Sequence, residues 1–346
     1  MKLSLSAYKR YMQCPQYYAY HRSGLRPVRQ ESTLLFGSAI DDMINALLDG
    51  QADPLEAYKD CVSSMDTQVI NWDKQDYDGE LLSPQQRKSL LDQVTKLGYK
   101  GDNIDDLAKV LFQKIDNGGY AQLSVNQHNA LIILCTASLY AKAELILHRY
   151  KVSILPQLER VESVQKEIEL SNGKIMGVSD YVAIVKGHGR VLLDNKTSVR
   201  PYAIDAARYD AQLTLYAEAL GCDKVGFVVM QKNIKKNAKY ECSSCGNTKA
   251  THQHKSCPAE INKKRCGGAL NKRINPVAQI DLMIEDCGVE NKKMVVETLE
   301  MVYDLIQLEK FPKNLGSCNW MYGKPCPYRE YCWKGDKSGL RQKENS

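Results

Sequence analysis

Three residues in the middle of the chain have types and spacing suited to cutting phosphodiesters. Asp180 lies on one predicted strand, and Asp194 and Lys196 lie at the end of the next. Side chains two apart on a strand point to the same face, so Asp194 and Lys196 should share a site that Asp180 can join. Two carboxylates suit Mg²⁺ or Mn²⁺, and a lysine beside them can position and help deprotonate an attacking water. The trio therefore predicts a metal-dependent hydrolase.

The elements that must position this trio follow from changes in hydrophobic period along the chain. Helices are predicted over residues 4–22, 37–48, 203–220 and 291–310, with a mostly helical stretch over residues 52–158. Strands are predicted over residues 165–170, 174–185, 190–195, 224–231 and 277–284, with turns at 171–173 and 187–189. The pattern indicates a mixed α/β core with a helical insertion.

The order of motifs around the trio is more specific than the trio alone. A glycine three residues before Asp180 is followed by a short hairpin, three apolar residues, Asp194-x-Lys196, and a helix carrying Gln212 and Tyr216 on one face. This order resembles the PD-(D/E)XK nuclease superfamily and, within it, the RecB, AddB and Cas4 branch. The resemblance covers the N-terminal helices and most of residues 160–335, and residues 52–158 have no counterpart in it.

The resemblance implies an α/β, restriction-endonuclease-like core: a mixed central sheet flanked by helices, with a helical insertion and an inserted zinc-ribbon-like module. The segments expected are N-terminal helices (1–50), the helical insertion (51–160), the nuclease core (161–231 and 276–310), the zinc-ribbon-like insertion (232–275) and a C-terminal cysteine segment (311–346). In this scheme the ribbon interrupts a pair of core strands.

The same resemblance implies roles for the residues of the motif. Metal ligands would be Asp180, Asp194 and the carbonyl of Asn195; Lys196 would serve the water, and Gln212 and Tyr216 would steady the site or the DNA. Asp194 stands where the branch often has glutamate, which shortens its reach.

One further ligand departs from the family pattern. The branch usually has a histidine ligand in an early helix after a glycine, and Asp41 occupies that place here, with Asp42 as an alternative. An aspartate is a good oxygen ligand for a hard cation, so the substitution is compatible with activity and leaves the metal preference open.

Eight of the twelve cysteines fall into two sets. Cys242 and Cys245 form a zinc knuckle, and Cys266 with Cys257 could complete a structural zinc site, although His252 or His254 could replace Cys257. Cysteines outside the two sets should be small buried hydrophobes: Cys61, Cys135, Cys222 and Cys287.

The second set resembles the C-terminal tail of iron-sulfur nucleases. Cys318, Cys326 and Cys332 match that tail, and the resemblance implies that Cys14 supplies the fourth ligand of a 4Fe-4S cluster. Such a cluster would fasten the N-terminal helix to the C-terminal segment. Zinc held by the same four thiolates is the competing interpretation.

Basic residues concentrate in the middle of the chain. Residues 231–273 contain eleven lysines and arginines and two acids, a net charge of +9, whereas the whole chain carries +6. This segment could contact a phosphate backbone, or it could be a solvated lysine-rich loop. Tyrosines and cations also mix over residues 8–26, where helical packing is favoured over stacking on bases.

Other features limit the possible cellular location and function. The start lacks the pattern of a signal peptide, and the longest apolar run, residues 130–141, is too short to span a membrane, so a cytoplasmic protein is expected, in host cytoplasm if phage-encoded. The sequence contains no Walker-type motif, so nothing in it indicates a helicase motor.

Three functions are compatible with these features. The favoured one is a Mg²⁺- or Mn²⁺-dependent deoxyribonuclease, more an exonuclease than an endonuclease, acting on single-stranded DNA or DNA ends in repair, recombination, phage DNA processing or CRISPR adaptation. The second is a weakly active or inactive iron-sulfur DNA-binding module that partners a helicase or a recombination or adaptation protein. The third is a zinc-ribbon DNA-binding protein in which Asp194-x-Lys196 is accidental.

Overall fold

The structure is a computed structural model that describes residues 2–171, 173–248, 255–261, 264–318 and 325–343. Its α-helices are α1 Leu5–Gln13, α2 Pro15–Arg22, α3 Ser32–Leu48, α4 Pro54–Ser64, α5 Pro84–Lys96, α6 Ile104–Gly118, α7 Val125–Ser153, α8 Ala211–Leu220, α9 Val289–Gln307, α10 Leu315–Cys318 and α11 Arg329–Lys334. Its strands are β1 Leu3–Ser4, β2 Leu25–Pro27, β3 Gln30–Glu31, β4 Ile70–Asn71, β5 Leu158–Leu170, β6 Ile175–Val185, β7 Gly189–Ser198, β8 Lys224–Gln231, β9 Lys235–Cys242, β10 Glu260–Ile261, β11 Lys264–Arg265, β12 Leu270–Val277, β13 Ile280–Asp286 and β14 Leu340–Gln342.

A six-stranded mixed sheet forms the centre of the molecule. Its strands run in the order β1-β6-β7-β8-β13, and β5 also pairs with β6. The β6–β7 and β8–β13 pairs are antiparallel, whereas β7–β8 and β1–β6 are parallel. The register places Leu193 opposite Tyr181 and Asp194 beside Phe227, so the middle of β6, which carries Asp180, lies beside the middle of β7, which carries Asp194. The predicted mixed α/β fold is confirmed.

Alternating side chains of β7 bury both faces of this sheet. Val191 and Leu193 join a core with α3 to α7, while Leu192 joins a second core with α1, α8 and α9. This alternation is the period-2 pattern expected of a strand covered on both sides. The helical region 52–158 thus shares a continuous core with the sheet.

The helix α7, with 29 residues, is the longest helix in the described part of the chain. Together with the turn that follows it, it is long and apolar enough by composition to span a membrane, although the apolar run was predicted to be too short. Most of that apolar window, 61%, is buried inside the protein. Its hydrophobicity therefore serves the core, where Leu131, Leu134 and Ile146 are fully buried.

Several predicted helix bounds are wrong. The single helix over 4–22 is two helices broken at Cys14, which is extended (φ −162°, ψ 113°) because the following residue, Pro15, disfavours helical backbone before it. The predicted 203–220 helix begins only at Ala211, capped by the Asp210 side chain, and a short 3₁₀ turn, Ala206–Tyr209, precedes it.

Two other bounds also differ from the predictions. The helix α3 begins at Ser32 instead of residue 37, and the strand predicted over 277–284 is divided between the end of β12 and β13.

The basic segment forms a two-stranded ribbon, β9 paired with β12, inserted between the paired strands β8 and β13 as predicted. The first five residues of β9 are all exposed, so this part of the ribbon lies outside the core. At its base, Lys232 is buried in an ion pair with Asp76 of the helical region, and Lys236 pairs with Asp78 and Glu80. Two of the eleven cations are therefore neutralised within the protein and are not free for phosphate.

Tyrosines near the N-terminus pack within the protein, which is the interpretation that the sequence favours. Tyr8, Tyr11 and Tyr18 are buried in the second core.

Among the cysteines outside the two sets, Cys135, Cys222 and Cys287 are buried as predicted, but Cys61 is only half-buried. Burial raises the pKa of Cys61 to about 12, and a hydrogen bond with Asp42 contributes to the rise.

Candidate active site

The adjacent strands β6 and β7 bring the two central acids together. The backbone N–H of Asn195 donates a hydrogen bond of 2.8 Å to Oδ2 of Asp180. Asp194, only 3% exposed, lies on the same strand next to Asn195. Burial raises the pKa of both carboxyls, that of Asp194 to about 7.

Lys196 faces the same site, as the period-2 argument predicts. Its ammonium group forms an ion pair with Oδ2 of Asp194, and it lies 5.7 Å from the centre of the Phe227 ring. Burial by itself would lower the pKa of Lys196, but the carboxylates of Asp194 and Asp180 outweigh burial and raise that pKa. The lysine is therefore held as a cation beside the two acids.

The helix α3 contributes a third carboxyl. Asp41 lies on α3, which packs against β7. Burial raises the pKa of Asp41 to about 8, and the negative charges of Asp180 and Asp194 contribute to this rise. Gly37, one turn earlier, permits the approach, since a Cβ atom there would lie 3.2 Å from Oγ1 of Thr197 on β7. The alternative residue, Asp42, is exposed, and its side chain is hydrogen-bonded to the Cys61 thiol.

The helix α8 packs over the site and contributes Gln212 and Tyr216. Nε2 of Gln212 donates a 3.1 Å hydrogen bond to Oδ1 of Asp194. One turn later, Tyr216 lies over Gly177, where a Cβ atom would stand only 2.2 Å from the tyrosine oxygen. The glycine of the motif therefore makes room for Tyr216, whose pKa burial raises to about 12.

Two residues that the sequence patterns did not single out as site residues join it. Nζ of Lys9 on α1 donates to Oε1 of Gln212 at 3.2 Å and lies 3.5 Å from Oδ2 of Asp210. The Tyr202 ring packs edge-on against Phe227 with centroids 5.5 Å apart. No local signal links Lys9 to Gln212 because 203 residues separate them.

The donor set fits a hard divalent cation. Three carboxyls, Asp41, Asp180 and Asp194, face the single ammonium of Lys196, which leaves two negative charges without a partner within this group when all three are ionised. Buried charge without compensation is costly, and a divalent cation on oxygen ligands would offset it. In addition, neither side-chain polar atom of the buried Asn195 has a hydrogen-bond partner in the described part of the chain.

The middle cysteine set forms a compact cluster. The sulfur atoms of Cys242, Cys245, Cys257 and Cys266 all lie within 4.8 Å of one another, and two of the pairs are 3.7 and 3.6 Å apart. The alternative ligands His252 and His254 lie outside the described residues. Desolvation raises the pKa of the Cys242 thiol, but hydrogen bonds from the backbone N–H groups of Ser244 and Cys245 outweigh it and lower that pKa to about 6. The cluster can hold a metal.

The terminal cysteines line one shared pocket, formed with Tyr17, Tyr20 and Tyr328. Burial raises the pKa of Cys326, and the neighbouring Cys14, Cys318 and Cys332 raise it further. Their sulfur atoms are less tightly grouped than those of the middle cluster, which alone meets the 4.8 Å spacing among the residues described. Residues 319–324, between Cys318 and Cys326, lie outside the described ranges.

Comparisons with known proteins give one family and little beyond it. No curated protein is significantly similar to the chain. The crystal structure of a protein named SSO0001 shares 13% sequence identity, covers 70% of this chain and 96% of its own, and superposes with a TM-score of 0.27, too low to support an argument. The family model for the PD-(D/E)XK nuclease superfamily matches residues 2–333, which include every residue of the site and both cysteine sets. The chain therefore belongs to the PD-(D/E)XK nuclease superfamily.

Proposed function

We propose that this protein is a Mg²⁺- or Mn²⁺-dependent deoxyribonuclease. One observation carries the proposal: Asp180 in the middle of β6 and Asp194 and Lys196 on β7 converge on one site. Gln212 from α8 and Asp41 from α3 complete the arrangement. Membership of the nuclease superfamily supports the same chemistry.

The reaction would be hydrolysis of a phosphodiester. The oxygen of a water forms a bond to phosphorus, one phosphorus–oxygen ester bond breaks, and the departing oxygen takes a proton. A bound divalent cation would activate the water and stabilise charge on the phosphate. Ligands for it would be Asp41, Asp180, Asp194 and the carbonyl of Asn195.

The chain's own residues would orient the reactants. Lys196, kept protonated by its acidic neighbours, would donate to the attacking water or to a phosphate oxygen near the metal. Gln212 would hold Asp194 in place by the hydrogen bond already present. Lys9 in turn fixes the amide of Gln212 and adds positive charge on the approach to the site.

We further infer exonuclease action on single-stranded DNA or DNA ends, in repair, recombination, phage DNA processing or CRISPR adaptation. The order of motifs resembles the RecB and Cas4 branch, and the terminal cysteines line a pocket as that branch would require. A partner helicase or recombination or adaptation protein fits such a pathway.

The two cysteine sets favour different metal groups. A zinc–sulfur bond of about 2.3 Å in a tetrahedron sets sulfur atoms about 3.8 Å apart. The 3.6 and 3.7 Å pairs of the middle cluster suit structural zinc by this measure. Cys14, Cys318, Cys326 and Cys332 line one pocket and resemble the ligand set of iron-sulfur nucleases, which supports the 4Fe-4S cluster.

The decisive experiment is a cleavage assay on anaerobically purified protein whose iron and zinc have been quantified. End-labelled single-stranded and duplex DNA are incubated with Mg²⁺ or Mn²⁺, with the parent protein, Asp194→Asn and Asp223→Asn. Asp223 is a fully exposed aspartate just before β8 and serves as the control. Cleavage by the parent and the control, but not by Asp194→Asn, is the expected result. Equal cleavage by all three would overturn the assigned site, and none by a metal-replete parent would overturn the enzyme.

A further inference from the structure

We propose that residues 199–210, between Lys196 and the Gln212 helix, form a base-stacking subsite that makes unpaired DNA the substrate. This proposal rests on the proposed function and deepens it. The segment is called the stacking loop below. Four side chains define it: Tyr202, Tyr209, Arg200 and Arg208.

The exposure of two tyrosines is the first observation. Tyr202 and Tyr209, at 36% and 68% exposed, are the most exposed tyrosines in the described ranges, and both lie in the stacking loop. Tyr209 is 68% exposed, and Ile204 between them is 82% exposed. Every other described tyrosine is less exposed than Tyr202, and Tyr209 is the one tyrosine among them with most of its surface in solvent.

The position of the loop is the second observation. Tyr202 packs edge-on against Phe227, and the same Phe227 ring lies 5.7 Å from Nζ of Lys196. Tyr202 is therefore one ring away from the proposed catalytic cation. Asp210, the last residue of the loop, caps α8 at Gln212, which contacts Asp194. A nucleotide next to the one being cut would lie against this loop.

The loop is held in place rather than hanging free. Ala207 is fully buried in the second core, and the 3₁₀ turn Ala206–Tyr209 surrounds it. At the start of the loop, Nδ2 of Asn233 donates to the carbonyl of Val199 at 3.3 Å, and Oγ of Ser198 donates to the carbonyl of Arg200 at 2.6 Å. These contacts present the tyrosines outward at little ordering cost on binding.

Charge is the third observation. Arg200 and Arg208 are exposed, and neither forms a salt bridge with another described residue; the exposed Asp205 lies between them in the loop. Alternation of aromatic rings with free guanidinium groups suits a single strand, because bases stack on the rings while the cations track phosphates. Paired bases are already stacked within a duplex, so the rings should favour unpaired nucleotides.

The test measures binding separately from cutting. Equilibrium dissociation constants are measured by fluorescence anisotropy, without added divalent cations, for a labelled dT 12-mer and a matched 12-mer whose central residues are abasic. Proteins compared are the parent, Tyr209→Ala, Tyr209→Phe and Val125→Ala. Val125 is an exposed apolar residue on α7, outside the loop, and serves as the control.

Stacking predicts a specific pattern. Tyr209→Ala should weaken binding of the dT strand about 5- to 150-fold per lost stacked base. The same change should leave the abasic strand unaffected, and Tyr209→Phe and Val125→Ala should match the parent on both strands. Equal binding by Tyr209→Ala and the parent, or an equal loss on both strands, would overturn the proposal.

This inference and the proposed nuclease can fail separately. If the binding pattern holds but the metal-replete parent cuts no DNA, the subsite stands and the nuclease falls. If the parent cuts DNA but the pattern is missing, the stacking loop alone is wrong. Thermal unfolding of Tyr209→Ala should match the parent because its ring is largely in solvent.

Discussion

At the scale of single residues, the site depends on small side chains as much as on charged ones. Gly177 leaves the space that the Tyr216 ring occupies, and Gly37 lets α3 approach Thr197 closely. Neither glycine touches a substrate in the proposed mechanism. Each permits the backbone approach that places a functional side chain.

Lys196→Met should reduce cleavage by about 10²- to 10³-fold, because it removes the ammonium paired with Asp194 while keeping side-chain volume. DNA binding should change little. Lys186→Met is the matched control, since Lys186 is exposed near the far end of the β6–β7 hairpin. Single-turnover cleavage rates and anisotropy check the pair, and similar rates for Lys196→Met and the parent would contradict the assigned role.

Gly177→Ala should destabilise the protein by about 1–3 kcal/mol, because its Cβ would overlap the Tyr216 ring. Adding Tyr216→Leu should recover part of that loss. Gly339→Ala is the control, since a Cβ there would meet nothing within 4 Å. Urea unfolding measures the three changes, and a stability equal to the parent's in Gly177→Ala would show that the ring is not fixed there.

At the scale of elements, a buried ion pair joins the ribbon's base to the helical region. Lys232 and Asp76 are 3% and 0% exposed, and Asp76 also accepts a 2.6 Å hydrogen bond from the backbone N–H of Asp73. The helical region thereby braces β8 where the chain leaves the sheet for the ribbon. This contact gives the helical region a structural role in the sheet.

Lys232→Met should cost about 3–5 kcal/mol in the free energy of unfolding, because it leaves the buried Asp76 carboxylate without its closest cation. The double change Lys232→Met with Asp76→Leu should be milder than the single one, since the Asp76 carboxylate is then not left without Lys232. Lys236→Met, which breaks a more exposed pair, should cost under about 1 kcal/mol. Equal losses for Lys232→Met and Lys236→Met in urea unfolding would refute the bracing role.

Cys245→Ser should remove one equivalent of zinc and loosen the ribbon, because two exposed strands are only marginally stable without a bound metal. Limited proteolysis should cut within residues 235–277 while the sheet core persists. Cys61→Ser, at a thiol outside both sets, should keep the zinc. Unchanged zinc content in Cys245→Ser would mean that the ligand set is misassigned.

At the scale of the whole molecule, the two ends of the chain meet. The Asn314 side chain and the Ser317 hydroxyl both donate to the carbonyl of Gln13 at 2.8 Å, and β14 pairs with β2. The Tyr328 hydroxyl donates to the carbonyl of Leu25 at 2.8 Å. These contacts close the chain around the pocket of terminal cysteines.

Cys326→Ser should lose iron and the visible absorbance of a cluster, with a clear fall in thermal stability, because cluster binding is coupled to closing the ends. Zinc content should stay unchanged, whereas Cys245→Ser should show the reverse pattern. Iron, sulfide and zinc quantification on anaerobic samples checks both. Retained iron in Cys326→Ser, or zinc in place of iron in the parent, would refute the cluster assignment.

The sequence by itself determined the features that depend on local period and spacing. Alternation along β6 and β7 predicted their pairing, and the two-residue spacing predicted that Asp194 and Lys196 share a face. Both cysteine sets were also visible as spacings. The helix bounds near Cys14 and Asp210 differ from the predicted ones, because Pro15 breaks the first helix and the Asp210 side chain caps the start of α8, and apolar periodicity shows neither effect.

Only the tertiary structure decided contacts between distant segments. Lys9 reaches Gln212 across 203 residues, Lys232 meets Asp76 across 156, and the pair of exposed tyrosines is recognised only once the other tyrosines are seen to be covered. Helix and strand periods report which side of an element faces a core. They carry no information on which other element covers that side, because that choice is made by packing of the whole chain.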